Sequence, residues 1–449
     1  MKGNKIIAIA IIFVFISSSA VSVMGLDFSN EITDYSEGKI KIYKEFSEPE
    51  ITEESDYIQV NVEEANEVLV VDDGVKIPVF TKTVELSFGT KITDIKIERS
   101  NIFKKDISKD LTKIYFQKLE AIKKSNTISP KSFDSSQSEE SKWWEITKGV
   151  GLNKENKHVL FLSIKVMPVR YKTSEDKIEY IKDINIEIDY DEPTSLHENN
   201  SLVDLLVIAP SEFKSDLIKL VDHKESYGLK TNLTTVEYIY DNYLGRDKPE
   251  QIKFFIKEKL DEWNVKYVLL VGSIRKLPIR STDAYPWDGW GNNILSDLYY
   301  ADIYDENYSF CSWDSNKNNN FGEADYQYNT WPPKVFNYDN VDLYPDLHIG
   351  RLACRNREEV RVLVDKIITY EKETYDQLWF KKIILAGGDT FPPGKMAPFN
   401  VFFFFLTNEK VAQQLPDFEK VLLWSSKRNL NAFTFNRAIN KGAGFLSYA

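Results

Sequence analysis

The apolar and polar positions of this chain follow two rhythms that meet near residue 200. Before that point, short runs alternate at period two. "NEVLVVDD" and "GVKIPVFTKTVELSFGTKITDIKIE" put an apolar residue at nearly every second position, punctuated by Gly74, Pro78 and Gly89. Such alternation turns one face of a strand to a core and the other to water. "HVLFLSIKVMPVRYK" and "IEYIKDINIEIDY" repeat the habit. Residues 26–198 are therefore predicted to be all-β. A Ser-rich polar stretch, 124–141, interrupts them as a loop open to nicking. The segment 191–201, "DEPTSLHENNS", reads as a linker.

From Leu202 the pattern changes to strand and helix in alternation. "LVDLLVIA" is a continuous apolar run, as a strand buried on both faces requires. The following "PSEFKSDLIKLVDHKESYG" has Phe213, Leu217, Leu220 and Val221 on one helical stripe and Gly228 at its end. "LKTNLTTV" and "VKYVLLVG" are strands. Between them "PEQIKFFIKEKLDEWN" is a helix on Ile252, Phe255, Ile256, Leu260 and Trp263. An irregular insert follows, from about 273 to 345. Beyond it "NREEVRVLVDKIITYEKE" is a helix with a capping box from Asn356 to Glu359. "KKIILAGGD", "EKVLLWSS" and "AGFLSYA" are strands, separated by helices over "NVFFFFLTNEKVAQQL" and "NAFTFNRAINKG". Repeated βα units imply a doubly wound, mostly parallel sheet. Ligands in such sheets sit at the carboxyl ends of the strands.

Composition narrows the classes. The 449 residues are 42% hydrophobic and 28% charged, which describes a globular chain of more than one domain. A net charge of −12 argues against general nucleic-acid binding. Lys2 and Lys5 precede the apolar run Ile6–Ile16 and a small-residue stretch ending at Ala20. That is the form of a secretory signal peptide over residues 1–25, with cleavage after Ala20 or Gly25. The run is short for a membrane span, so no stable anchor is expected and the protein is predicted to be secreted or extracellular, with attachment to the cell surface open. An uncleaved anchor is the rival reading.

Candidate chemistry is sparse. In "WDSNKNNNFGEAD" side-chain oxygens recur at Asp314, Asn316, Asn318, Asn320, Glu323 and Asp325. A loop with that spacing offers calcium the hard oxygens it takes. The EF-hand template has Gly at the sixth position, where Asn319 stands, and Glu at the twelfth, where Asp325 stands. The structural alternative is a polar surface loop. "LAGGDTFPPGKM" is one residue too long for a phosphate loop, and Met396 stands where a hydroxyl is needed. It leaves Asp389 just past a strand end, either as a site residue or as the cap of the next helix. Of the two cysteines, Cys311 lies in the insert. Cys354 follows His348 by six residues, about 20 Å apart if extended at ~3.3 Å per residue. They form no dyad, and Cys354 reads as a small buried hydrophobe.

These stretches together resemble the gingipain-type cysteine peptidases, which share the caspase-like fold. The matching phrases are "KYVLLVG" with Pro278, "SDLYYADI", "WDSNKNNNFGE", "PDLHIGRLACRNREEVRVLVDKIITYE", "LAGGD" and "NKGAGFLSYA". The resemblance implies that residues 199–449 are the first part of a peptidase domain and that a Gly-His-Gly with the catalytic His should follow the last strand. The nucleophilic Cys would come after the next strand, so the chain is expected to stop before its Cys–His dyad and to be inactive as it stands. Asp389 is the position that matches the family's orienting acid. "GVKIPVFTKTVELSFG" and "IKVMPVRY" resemble the family's propeptide, so 26–198 would assist folding and cover the cleft. Ser273 departs from the Asp usual in relatives. The implied partners are protein or peptide substrates and the chain's own propeptide domain. The competing reading is a non-catalytic secreted protein that keeps a calcium-stabilised scaffold for surface binding. A flavodoxin-like nucleotide binder is a weaker third reading, opposed by the missing phosphate loop.

Overall fold

The computed structural model describes residues 31–53, 58–71, 75–106, 143–172, 177–193, 202–282, 294–327, 334–374, 377–387, 408, 411–425 and 427–448. The predicted signal peptide, the Ser-rich loop, Asp389 and most of the helix expected near 400–415 lie outside them. The chain divides into two compact units, one of Val23–Ser215 with Lys224–Arg355, the other built on Asp216–His223 and Asn356–Ala449.

The larger unit begins with β strands alone among its described residues. They are β1 (Glu31–Ser36), β2 (Lys39–Glu45), β3 (Glu50–Glu53), β4 (Ile58–Asn61), β5 (Glu67–Val71), β6 (Val75–Ser87), β7 (Lys91–Arg99), β8 (Phe103–Asp106), β9 (Trp144–Leu152), β10 (His158–Val166), β11 (Val169–Lys172), β12 (Lys177–Tyr180) and β13 (Asp183–Asp191). Two antiparallel sheets, in the orders β1-β2-β13-β7 and β5-β6-β10-β9, share one core. The period-two pattern explains how. Ile40 and Ile42 of β2 and Ile184, Ile186 and Ile188 of β13 are fully buried, while their neighbours in sequence face outward. They meet Val84, Leu86, Leu160, Leu162 and Ile164 from the second sheet. Each such side chain contributes roughly 1.5–3 kcal/mol by leaving water.

β10 departs from alternation, and its residues are buried almost without a break. The reason lies on its second face, where a segment from the insert lies against β9 and β10. The Phe161 ring stacks on Tyr344 at 4.8 Å. β9 is an edge strand, and its outward amides find partners in the same segment. Val150 N–H donates to Asp342 Oδ2 at 2.8 Å and Leu152 N–H to the Pro345 carbonyl at 2.9 Å. Gly149 and Gly151 make this approach possible. A Cβ on Gly149 would lie 2.1 Å from the Tyr344 ring, and one on Gly151 would lie 2.7 Å from the Pro345 oxygen.

The rest of this unit is a parallel sheet. β14 (Leu205–Ala209), β15 (Thr231–Thr235), β16 (Tyr267–Val271) and β21 (His348–Leu352) run in the order β15-β14-β16-β21. All five residues of β14 are buried, as its unbroken apolar run requires. Helix α1 (Lys214–Ser226) follows β14, α2 (Val236–Asn242) follows β15, and α3 (Lys248–Trp263) precedes β16. α3 buries Ile252, Phe255, Ile256 and Leu260 of the stripe read from sequence, and Trp263 at its end is half-buried. Its N-cap is Asp247, and it ends at Asn264 in left-handed geometry (φ 53°). α2 is short and capped by Thr235, with Val236 and Ile239 inward. The insert carries β17 (Arg280–Thr282), β18 (Ile294–Ser296), β19 (Ala324–Gln327) and β20 (Lys334–Asn337), paired as two antiparallel hairpins.

The smaller unit has α4 (Arg357–Glu373), β22 (Lys382–Gly387), β23 (Glu419–Trp424), α5 (Ala432–Asn440) and β24 (Phe445–Tyr448). Its strands form a parallel sheet in the order β23-β22-β24. Asn356 caps α4 by accepting the Glu359 N–H at 3.0 Å. A reciprocal capping box forms at α5 instead, where Asn431 and Thr434 bond each other's amides. Asp216 on α1 binds Arg357 at 2.6 Å and Arg361 at 3.0 Å, and His223 Nε2 lies 2.8 Å from Glu371.

Gly149→Ala forces the Tyr344 ring off β9 and is expected to lower unfolding stability by about 1–3 kcal/mol. Adding Tyr344→Ala to that variant should recover part of the loss, because the clash is then gone. Additive losses in chemical denaturation would show that the glycine does not serve this contact.

Candidate functional site

The carboxyl ends of β16 and β21 are tied by one side chain. Arg351 leaves β21 and uses its whole guanidinium. Nε and Nη2 donate to the two oxygens of Asp297, both at 2.7 Å. Nη1 donates to the Gly272 and Leu277 carbonyls at 2.9 and 2.8 Å, and Nη2 also to Pro278 at 3.2 Å. Ser273 opens the turn after β16. Its N–H donates to the Cys354 carbonyl at 2.7 Å, and its own carbonyl accepts Lys276 and Leu277 amides. Ser273 therefore serves the turn with its backbone.

The Asn-rich loop closes on itself. Asn316 and Asn318 donate through Nδ2 to Glu323 Oε2 at 2.9 and 2.6 Å, and Asn320 to Oε1 at 3.3 Å. The Asn316 amide, first among these donors, helps hold the Glu323 carboxyl below its ordinary range. Asp314 is buried and accepts the Asn318 N–H at 2.9 Å. Its other oxygen is paired with Arg246, which also holds Glu250 on α3 at 2.7 Å. Asp339 joins the loop by accepting the Ser315 and Glu323 amides at 3.0 and 2.8 Å. Lys317, Asn319 and Gly322 take left-handed geometry, which curls the chain. Asp325 lies in β19, and only its backbone is described. Among the described residues no group of three or more His, Cys, Asp or Glu is disposed to hold a metal ion. The six predicted oxygens thus divide: Asn316, Asn318, Asn320 and Glu323 converge, while Asp314 is committed to an arginine.

A second, buried polar cluster was not apparent in the sequence. Asp302 of the insert and Asp346 just after it are buried, with Lys253 of α3 fully buried beside them. Asp302 accepts the Trp313 indole N–H at 2.9 Å. Lys253 donates to the Cys311 carbonyl and lies 4.3 Å from the Tyr299 ring. Asp346 Oδ2 accepts the Ile303 and Tyr304 amides at 2.5 and 2.9 Å. Its Oδ1 faces His158 Nε2 of β10 at 3.4 Å, across the contact between the β-rich region and the insert. Burial pushes the Asp302 carboxyl up to about 7, with Lys253 opposing and Asp346 adding to the rise. Burial also raises Asp346 and lowers Lys253. The signal for this cluster would have been three acids, Asp302, Asp342 and Asp346, flanked by aromatic and aliphatic residues.

Neither cysteine is placed as a nucleophile. Both are buried and neither is in a disulfide among the described residues, and burial drives the Cys311 thiol well above its ordinary value. His348 opens β21, with Nε2 at 2.7 Å from Asn156 Oδ1, and Cys354 lies two residues past the strand's end. Asp389, the expected orienting acid, falls two residues past β22 in the chain and outside the described residues. No helix of the described residues is long and apolar enough to cross a membrane.

Residues 198–449 match the model of peptidase family C25. The chain is 24% identical over 190 residues to gingipain R2 of Porphyromonas gingivalis, covering 42% of this chain and 19% of that protein. To gingipain R1 of the same organism it is 24% identical over 178 residues, covering 39% and 13%. The chain thus spans less than a fifth of the length of these curated relatives. Among solved structures it is similar to the Arg-specific cysteine proteinase gingipain R (RgpB), with 19% identity and a TM-score of 0.37 over 56% of this chain and 48% of that one. It is also similar to the complex of P. gingivalis RgpB pro- and mature domains, with 20% identity and a TM-score of 0.36 over 55% and 47%.

The raised Asp302 carboxyl has a consequence for stability. A carboxyl whose folded value exceeds its unfolded one contributes stability below the ordinary carboxylate range and loses it as pH rises through about 7. Asp302→Asn removes the titration and keeps an oxygen for Trp313. The variant should therefore show a smaller fall in Tm between pH 5.5 and 8.5 than the parent. Parallel Tm profiles for the two proteins would contradict this account.

Proposed function

We propose, from the fact that this chain belongs to peptidase family C25, that its protein is a secreted cysteine-type endopeptidase made as a precursor. The observation that carries this reading is the family match over 198–449, which takes in the strands of both parallel sheets. A thiolate attacks the peptide carbonyl, the amine leaves with a proton from an imidazole, and water then releases the acyl group. Asp389 orients that imidazole and stabilises its charged form. In this reading the buried Cys311 and Cys354 do not supply the thiolate, and thiol and imidazole both belong to the part of the peptidase domain expected after the last strand. The β-rich region 26–198 acts as a propeptide domain behind a leader over 1–25. In support, β9 and β10 bind the 341–348 segment through backbone amides, a stack and the His158–Asp346 contact.

A second reading rests on the buried cysteines and the closed loop: a non-catalytic surface protein on the same scaffold. In either reading we assign calcium to the Asn-rich loop. The donor chemistry fits. Asn316, Asn318 and Asn320 already converge on Glu323, and an ion there would draw in their Oδ1 atoms at the cost of the Asn318 and Asn320 N–H bonds that Asn316 and Asn318 now accept. The ion would supply charge to neutralise Glu323 and fasten the loop. Asp314, held by Arg246, stands outside this group of donors.

The full-length polypeptide should hydrolyse a panel of peptide substrates, and thiol alkylation should abolish the activity. Absence of hydrolysis in the fully processed protein would favour the binding-protein reading. Millimolar calcium should raise the Tm of the chain by about 4–8 °C per 1 kcal/mol of binding for a small unit and less for a larger one. Glu323→Gln should remove that shift. A Tm indifferent to calcium and to chelator would end the calcium assignment.

A further inference from the structure

One face of the β23-β22-β24 sheet is an apolar layer. Ile383, Leu385, Trp424 and Phe445 pack there with Val411, Ala412, Leu415 and Phe418. Inside it stands one fully buried amide, Asn408. Its Nδ2 donates to the Ala386 carbonyl on β22 at 3.1 Å. Its Oδ1 accepts the Ser447 hydroxyl on β24 at 3.0 Å. A leucine would fill similar space without the desolvation penalty of an amide, which is offset here only because both ends are bonded. The location gives the bridge its meaning. Ala386 is the penultimate residue of β22 and Ser447 that of β24. The strand end is tightly closed as well, since a Cβ on Gly387 would lie 2.8 Å from the Trp424 ring and 3.4 Å from Asn408 Nδ2. The Trp424 backbone is held in turn by Asn429, which accepts the Trp424 main-chain N–H at 2.6 Å and donates to the Leu422 carbonyl at 3.0 Å.

We infer that Asn408 is a positioning residue, which with Ser447 sets the carboxyl end of β22 against that of β24 and so fixes where the two departing chain segments begin. This rests on the peptidase reading, in which the chemistry leaves from these two strand ends. Two neighbouring parallel strands are already joined by their ladder, but the ladder stops where the strands stop. Asn408 ties the Ala386 carbonyl to the Ser447 hydroxyl beside the last ladder pairs, Leu385 with Ser447 and Ala386 with Tyr448, and so adds a side-chain constraint where the ladder is about to end. Hydrogen bonds are directional, so the bridge constrains distance and twist together, which apolar contacts with the Trp424 ring do not.

The test uses the full-length protein and four variants: Asn408→Leu, Asn408→Asp, Ser447→Ala and Ser447→Thr. Removing the bridge should lower kcat about tenfold to a hundredfold with KM little changed, the scale on which a small misplacement slows an oriented reaction. Ser447→Ala should lose activity and Ser447→Thr, which keeps the hydroxyl, should recover it. The pH dependence of kcat/KM should move in Asn408→Asp and Ser447→Ala, because the partners of the catalytic base are displaced. A purely structural bridge would lower Tm in these variants and leave kcat per folded molecule and the pH profile as in the parent, and that result overturns the inference. Should Asn408→Leu not fold, Ser447→Ala against Ser447→Thr decides by itself. If the unmodified protein hydrolyses nothing, the peptidase reading fails and takes this inference with it. If it is active and the variants match it, the inference alone fails.

Discussion

The insert of the larger unit is held in place by the Arg351 guanidinium, and much of that unit depends on it. Backbone ladders order β14, β15, β16 and β21, but they say nothing about the 76 residues that intervene between β16 and β21. Arg351 converts the end of β21 into an attachment point, with two bonds to Asp297 and three to carbonyls between Gly272 and Pro278. A planar, always charged fork is suited to this because it meets a carboxylate with two bonds and still has donors left for backbone. Lysine at this position would offer a single point charge and leave several carbonyls without partners. The pair is mostly buried, so breaking one side would leave the other charge uncompensated.

The same logic, buried charge made tolerable by fixed partners, runs through the layers beneath. Lys253 reaches the Cys311 carbonyl among aromatic rings, and Asp302 and Asp346 take indole and backbone N–H groups. Arg280 binds Asp247 at the start of α3 and lies 3.7 Å from the Phe321 ring, while Arg246 binds Asp314 and Glu250. The Asn-rich loop is therefore hung from the amino end of α3 by two arginines. The β-rich region reaches this layer too, since His158 faces Asp346 and Val150 donates to Asp342. The contact between the two regions is polar at its centre and aromatic at its edge, where Phe88 meets Tyr304 and Tyr308. An interface of that kind is specific in register, because each buried polar atom accepts only one arrangement of partners.

Much of the secondary structure was legible in advance, for reasons that can be named. The period-two run from Ile178 to Tyr190 put Ile184, Ile186 and Ile188 on inward faces. The stripe of α3 and the apolar run of β14 were equally plain, because burial on one side or two leaves its period in the residues. Less legible was whatever depended on backbone atoms. The capping box expected at Asn356 is only a cap, and the reciprocal one forms at Asn431 with Thr434 in place of an acid. The helix α2 was hidden in "TTVEYIYDN", where a β-branched start obscures a seven-residue turn of helix. β10 breaks alternation because its second face is covered by residues some 180 positions later, which no local window contains.

The candidate site divides in the same way. The alternation of oxygens from Asp314 to Glu323 is a property of neighbouring residues, so spacing alone announced a curled polar loop, and Asn316, Asn318, Asn320 and Glu323 do meet. That Asp314 would instead answer to Arg246 is decided by a contact 68 positions apart. The burial of Cys311, the Arg351 clamp, the Asp302–Lys253–Asp346 layer and the Asn408 bridge are likewise long-range. Sequence by itself determined the two rhythms, the order of strands and helices and the kinship of the second half, because periodicity and short motifs are written in adjacent residues. Tertiary structure alone decided which charges are buried and what each polar atom bonds, because desolvation and hydrogen-bond geometry exist only once distant segments are brought together.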